Sequence, residues 1–370
     1  MILCSNPRAQ YLTLKKDIDA AVLKVLDSGW YIRGAEVEAV EEEFAAHAGA
    51  AHAIGVASGT DALVVALSAL GVGPGDEVIT VSHTAVPTVS AIEQTGATPV
   101  FVDIEPACFT LDPERIEAML TPRTKALVAV HLYGQPADMD AIMAVAGRHG
   151  LKVVEDCAQA AGAIYGSQGV GAIGDAGCFS FFPTKNLGTF GDGGMVITAD
   201  GRLAERMRGV REYGWDGDKI SQFPGLNSRL DELQAAIVRV RLRHLNGDND
   251  RRRQVADFYD RALAGADIRL PVRRPAARHV FHLYVVRHSA RDALRAFLKE
   301  RGIAAAVHYE MPVHLQPAYR GRLPAGPLEH TERAALEVLT LPVYPELTQA
   351  ELEKVAEAVL AFPELAAEAG

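Results

Sequence analysis

A chain of 370 residues, 49% apolar and 23% charged, has the balance of an ordinary globular protein and exceeds the length at which one core usually stops growing. Its formal charge of −10 argues against a nucleic-acid partner, which needs a basic surface, but not against a small anion held by backbone amides. No apolar run nears the roughly 20 residues that span a bilayer, so neither membrane nor nucleic acid is an expected partner and a cytoplasmic protein is the expectation.

From about residue 50 to 200, short β-branched runs alternate with helical patterns, the habit of a parallel sheet covered by helices. The expected strands are His52–Ala57, Glu77–Val81, Pro99–Asp103, Ala126–Leu132, Lys152–Cys157, Gly177–Phe182 and Met195–Thr198. Amphipathic helices such as Ala62–Leu70 and Met139–His149 lie between them. A second pattern opens with the charged segment Asn246–Arg253, continues through a strand at Val280–Arg287 and a helix at Arg291–Arg301, and closes with a terminal helix that frays or finishes in Leu360–Gly370. The expected division is therefore a large α/β domain over residues 1–245 and a smaller α/β domain over 246–370. Cys4, Cys108, Cys157 and Cys178 lie far apart and read as buried free thiols; no metal site is expected.

Three stretches can carry chemistry. In Ser58-Gly59-Thr60-Asp61 a strand ends in a small-residue turn and a helix begins, which aims unpaired amides at one point and suits a phosphate. Alone, it reads equally as a plain N-cap. Asp156, in Val153-Val154-Glu155-Asp156-Cys157-Ala158-Gln159, sits at the carboxyl end of a buried strand, where ligands bind in open parallel sheets. It could also cap the next helix. Lys185 lies between the apolar strand ending Phe179-Ser180-Phe181-Phe182 and the glycine-rich loop Gly191-Asp192-Gly193-Gly194, a place where partial desolvation makes a neutral nucleophile. Most lysines are simply solvated.

A strand-edge acid, a serine-bearing strand and a loop lysine occur in one order over about 30 residues, and together they describe one cofactor. Pyridoxal 5'-phosphate (PLP) needs a phosphate cradle, a carboxylate facing the pyridine nitrogen and a lysine to hold its aldehyde. Two glycine-rich stretches are set aside. Gly169–Gly174 matches the dinucleotide fingerprint by letter but opens no βαβ unit, and Gly71–Gly75 is a helix stop.

The chain resembles the DegT/StrS sugar aminotransferases of fold type I (aspartate aminotransferase-like), from Ser28-Gly29-Trp30-Tyr31-Ile32 through Asn227-Ser228-Arg229-Leu230-Asp231 to Leu315-Gln316-Pro317-Ala318-Tyr319. The resemblance implies that Lys185 forms a Schiff base with PLP, Asp156 pairs with the pyridine nitrogen and Gln159 lies near the cofactor hydroxyl. Gly59, Thr60 and Ser180 take the place of the phosphate cradle. Asn227 resembles a phosphate ligand supplied by the neighbouring subunit, which implies a homodimer with shared active sites. At His83 many relatives carry an aromatic ring that stacks on the pyridine; a histidine can stack there or transfer protons, or merely enter a helix. Tyr309 and His314 resemble the substrate-side loop, with interface packing as the plain alternative, and Arg229 faces either a donor carboxylate or the subunit contact.

The function so implied is amino transfer from L-glutamate to a nucleotide-linked keto sugar. Arg211–Trp215 and His131–Pro136 look most like enzymes acting on dTDP-3-keto-6-deoxyhexoses. GDP- or UDP-linked 4-keto sugars are the runner-up substrates, and an amino cyclitol intermediate a more distant one. Related sugar dehydratases replace the lysine with histidine, whereas this chain keeps Lys185. A non-catalytic PLP-binding sensor would be expected to lose part of the set Asp156, Lys185 and Asn227, and all three are present.

Overall fold

The computed structural model describes residues 1–363. Helices α1 (Pro7–Thr13), α2 (Lys15–Ser28) and α3 (Ala35–Ala48) precede the first strand. Seven strands then build one sheet: β1 (His52–Val56), β2 (Glu77–Val81), β3 (Thr98–Val102), β4 (Thr124–Val130), β5 (Lys152–Asp156), β6 (Ala176–Ser180) and β7 (Gly194–Thr198), in the spatial order β1-β7-β6-β5-β4-β2-β3. Each of these seven expected strands is present within two residues at either end. The central strands are buried on both faces, which is why runs such as Val78-Ile79-Thr80-Val81 read as continuously β-branched rather than alternating.

The sheet is mainly parallel. The exception is β7, antiparallel to both β1 and β6, because the lysine-bearing loop joins β6 to β7 directly, with no helical crossover. Helix α4 (Gly59–Ala69) starts three residues earlier than its apolar pattern suggests, since Ser58 Oγ accepts from Asp61 N–H at 3.1 Å and caps it. Its residues Ala62 to Leu67 are all buried, as expected of a helix lying on a sheet and covered by its neighbours α5 (Val86–Gln94) and, further on, α7 (Gly201–Val210). Helix α6 (Met139–His149) follows β4 as the sequence pattern indicates.

Helices α8 (Glu232–Leu242) and α9 (Leu245–Ala262) lead to a second apolar cluster. That cluster gathers Tyr259, Phe281, Leu294 of α10 (Arg291–Glu300) and Val355 of α12 (Gln349–Leu360) around an antiparallel pair, β8 (Tyr284–Arg287) with β9 (Val338–Leu341). Helix α11 (Glu329–Glu337) runs into β9. The charged segment Asn246–Arg253 lies in the first half of α9, where Leu245 packs in the main core and Tyr259, further along, in the second.

Two segments cross between the clusters. Ile2 joins the second one, donating from its N–H to Gly302 O at 2.8 Å and accepting from Ala304 N–H at 2.8 Å. Conversely, residues 313–328 return to cover the free edge of β3, where Phe101 N–H donates to Pro324 O at 2.9 Å. The expected strand from Val280 begins only at Tyr284, because Val280 and Leu283 N–H instead donate to the Gly134 and Tyr133 carbonyls. Cys108, Cys157 and Cys178 are buried free thiols, while Cys4 is half-buried. The terminal helix ends at Leu360; of the stretch Leu360–Gly370, expected to fray or finish it, residues 364–370 lie outside the described residues. No helix among the described residues is long and apolar enough to cross a membrane.

Candidate active site

The carboxyl ends of β1, β2, β4, β5 and β6 converge on one edge of the sheet, and a cavity of about 280 Å³ opens there. Its wall includes Ser58, Gly59 and Thr60, Asp156, Gln159, Ser180 and Lys185, which are far apart in sequence.

The helix end is built for an anion. Ser58 uses its side chain on Asp61 N–H, while the N–H groups of Gly59 and Thr60 find no acceptor among the described residues. Gly59 is required by a close approach rather than by its backbone angles: a Cβ there would stand 2.6 Å from the Ser180 Cβ. The two hydroxyls of Thr60 and Ser180 are thus brought beside free amides at the positive end of α4, which is the chemistry a phosphate needs.

Across the cavity, Asp156 ends β5 and is nearly buried. Thr88 donates to its Oδ2 at 2.8 Å and Ala158 N–H to its Oδ1 at 3.1 Å. These bonds fix the carboxylate without neutralising it, so it can still face a cationic N–H. Lys185 stands on the wall with its ammonium pushed down to about 8 by burial, against the opposing pull of Asp156. A fraction of the amine is therefore neutral near pH 8, as nucleophilic attack on a carbonyl requires. Free amides, a fixed strand-end carboxylate and an activated lysine are the three groups that PLP demands, and here they line one cavity of its scale.

The remaining expected residues are placed as follows. Gln159 lines the cavity, its Oε1 accepting from Tyr133 N–H at 2.7 Å and its Nε2 donating to the Tyr309 hydroxyl at 3.0 Å. His83 is fully buried and is not among the cavity-lining residues; Thr84 and Ala85 take that place. Its Nε2 lies 2.8 Å from the Tyr133 hydroxyl, so this ring is turned into the core rather than laid on the cavity. His314 is likewise engaged elsewhere: its Nδ1 is 2.7 Å from Ser82 Oγ and its Nε2 3.3 Å from Glu332. Arg229 lies 3.9 Å from Glu212, which Arg33 also contacts, and Asn227 is exposed; neither lines the cavity of its own chain.

Thr88 and His282 carry no motif signal, whereas Tyr133 lies in the His131–Pro136 stretch and His308 in the Val307-His308-Tyr309 stretch, both similar to relatives; the structure brings all four to the site or its immediate support. Burial, then the neighbouring Lys185, pushes the His308 imidazole down to about 4 and His282 well below its usual range, so both stand as neutral rings near the amine. The glycine-rich stretch Gly169–Gly174 also has a role: the N–H groups of Gly171, Ile173 and Gly174 hold the buried Glu155 carboxylate at 2.7 to 2.8 Å. It is an anion nest for the protein's own side chain. His131 completes that nest, accepting from Ala137 N–H at its Nδ1 and donating to Glu155 from Nε2 at 3.0 Å. Burial opposes the Glu155 charge, but these donors hold its carboxyl below the ordinary range.

A doubly layered α/β fold whose single antiparallel strand follows a lysine loop, with that lysine opposite a strand-end aspartate, defines the fold type I aminotransferases. The chain belongs to the DegT/DnrJ/EryC1/StrS aminotransferase family, whose model matches residues 12–360, and members of that family depend on PLP. It is 50% identical over 359 residues, 96% of this chain and 95% of the relative, to the dTDP-3-amino-3,4,6-trideoxy-alpha-D-glucose transaminase of Streptomyces venezuelae. It is 46% identical to the UDP-N-acetyl-3-dehydro-alpha-D-glucosamine 3-aminotransferase of Acidithiobacillus ferrooxidans, covering 95% of each chain. The crystal structure of S. venezuelae DesV with a ketimine intermediate superposes with a TM-score of 0.95 over 97% of each chain, at 50% identity.

Proposed function

We propose that this aminotransferase binds PLP through Lys185 and moves an amino group from L-glutamate to a nucleotide-linked keto sugar, a dTDP-3-keto-6-deoxyhexose, in amino-sugar biosynthesis. The observation that carries the reading is that Lys185, Asp156 and the open N-terminus of α4 line one cavity. The dTDP-linked choice rests on the S. venezuelae relative. A second reading, a UDP-linked keto sugar, is favoured by the A. ferrooxidans relative.

When bound, the cofactor supplies an electron sink that lets an amino group leave one carbon skeleton and join another. The protein's own residues do the rest. Gly59 and Thr60 N–H with the Thr60 and Ser180 hydroxyls would hold the phosphate. Asp156, kept in place by Thr88 and Ala158, would hold a proton on the pyridine nitrogen, where a nearby anion stabilises the cation. Lys185 Nζ would carry the cofactor and, once released, take up and return the proton that moves during transfer. Tyr309, hydrogen-bonded to Gln159, would offer its hydroxyl to the sugar side. Asn227 and Arg229, turned away from their own cavity, would serve the site of a second subunit in a homodimer. A cytoplasmic location belongs to the same proposal.

The test is direct. Lys185→Ala should remove both turnover and the visible absorbance of the purified protein while leaving its circular dichroism intact; transamination surviving in that variant would defeat the reading. A panel of dTDP-, UDP- and GDP-keto sugars with glutamate, followed by product mass, then decides the substrate.

A further inference from the structure

The directions of the hydrogen bonds around Tyr133 are fixed by its partners. Gln159 Oε1 accepts from the Tyr133 backbone N–H, so Gln159 Nε2 must be the atom that donates to the Tyr309 hydroxyl. The Tyr133 hydroxyl gives its single proton to the His308 carbonyl, which can only accept. Toward His83 Nε2, 2.8 Å away, the same hydroxyl can therefore only accept, and His83 carries a proton on Nε2. His83 Nδ1 is buried with no partner among the described residues, and a bare nitrogen there is less costly than an orphaned N–H. Burial, reinforced by Arg287, holds this imidazole down at about 4, in keeping with a neutral ring.

Three separate parts of the chain meet at that one hydroxyl. His83 follows β2, Tyr133 follows β4, and the His308–Tyr309 pair comes from the carboxyl-terminal half. Tyr133 also adopts a left-handed backbone, with φ of 61°, which an aromatic residue holds only where its surroundings impose it. At the end of the chain of bonds, the Tyr309 hydroxyl accepts from Gln159 and finds no acceptor for its own proton among the described residues. Burial keeps that phenol protonated, pushed up to about 12.

We propose that His83 is a positioning residue: its Nε2–H anchors the Tyr133 hydroxyl, so that Tyr133 clamps the His308 carbonyl and, through Gln159, leaves the Tyr309 hydroxyl proton free beside the cavity-lining Gln159. This role replaces stacking on the cofactor. Its catalytic consequence rests on the aminotransferase reading above, whereas the clamp itself does not.

The experiment compares His83→Leu, His83→Gln, Tyr133→Phe and the His83→Leu/Tyr133→Phe double variant. Hydrogen–deuterium exchange over residues 305–312 is followed in cofactor-free protein, and kcat/KM in the loaded enzyme. His83→Leu should speed exchange in that segment and lower kcat/KM roughly tenfold or more, as expected when a reacting group loses its alignment. His83→Gln, which can offer an N–H near the same place, should recover most of both losses, and the double variant should be no worse than Tyr133→Phe alone because both act through one hydroxyl. Wild-type exchange in His83→Leu, equal damage by Gln and Leu, or additive losses would each overturn the clamp. Should His83→Leu fail to fold, Tyr133→Phe and His83→Gln still decide it. A protein with no aminotransferase activity at all would sink the proposed function, while the exchange data would still judge the clamp.

Discussion

At the scale of single residues, the chemistry turns on what burial does to Lys185. Its ordinary value is 10.5, and the cavity lowers it to about 8 because an ammonium loses hydration there faster than Asp156 can compensate. Cofactor-free protein should therefore acylate at Lys185 with a midpoint near pH 8, read by mass-mapped competitive labelling. A midpoint at the ordinary lysine value would show that the cavity does not desolvate the amine. The linkage has a definite sign. Between about 8 and 10.5 the unfolded chain binds a proton here that the folded chain has lost, so stability of the cofactor-free protein rises with pH across that window.

At the scale of elements, two helix starts do different work. The N-terminus of α4 is left open toward the cavity, and Gly59 lets the strand carrying Ser180 come close to it. Gly59→Ala should displace one or the other, weakening cofactor retention on dialysis and destabilising the fold by about 1–3 kcal/mol, the usual cost of overpacking. Unchanged retention would remove Gly59 from the cradle. The start of α3 is instead closed from within: Glu232, nearly buried, accepts from Gly34 and Val37 N–H at Oε1 and from Glu36 N–H at Oε2, at 2.7 to 2.9 Å. Glu232→Ala strips three amides of their acceptor and should lower stability in urea by about 1–2 kcal/mol, with no direct effect on the cavity. Its carboxylate is a structural cap, as Glu155 is for the Gly171–Gly174 nest.

At the scale of the whole molecule, the proposal that a second copy completes the site assigns the exposed Asn227 to the neighbouring subunit's phosphate. Mixing Lys185→Ala chains with Asn227→Ala chains should restore activity, because each mixed dimer contains one site built from an intact lysine and an intact asparagine. With random pairing, roughly a quarter of the native sites would return. Two inactive variants that stay inactive when refolded together would show that the site is complete within one chain.

The sequence by itself determined what depends on neighbours along the chain. Runs of β-branched residues fix the strands, Ser58 sets the start of α4, and a carboxylate ending β5 or a lysine in the β6–β7 loop must emerge at the sheet's carboxyl edge once those strands are parallel. Asp156, Lys185, Gly59 and Ser180 were legible for that reason. The tertiary structure decided what depends on partners far away. Ser82 meets His314 across 232 residues and Tyr133 meets His308 across 175, so no local period reveals that His314 is tied down or that His83 turns inward. The same holds for the glycine-rich stretch at 169–174, whose letters suggest a nucleotide and whose amides are already filled by Glu155. Buried donors and acceptors must be paired, and which ones pair is settled only when the fold brings the segments together.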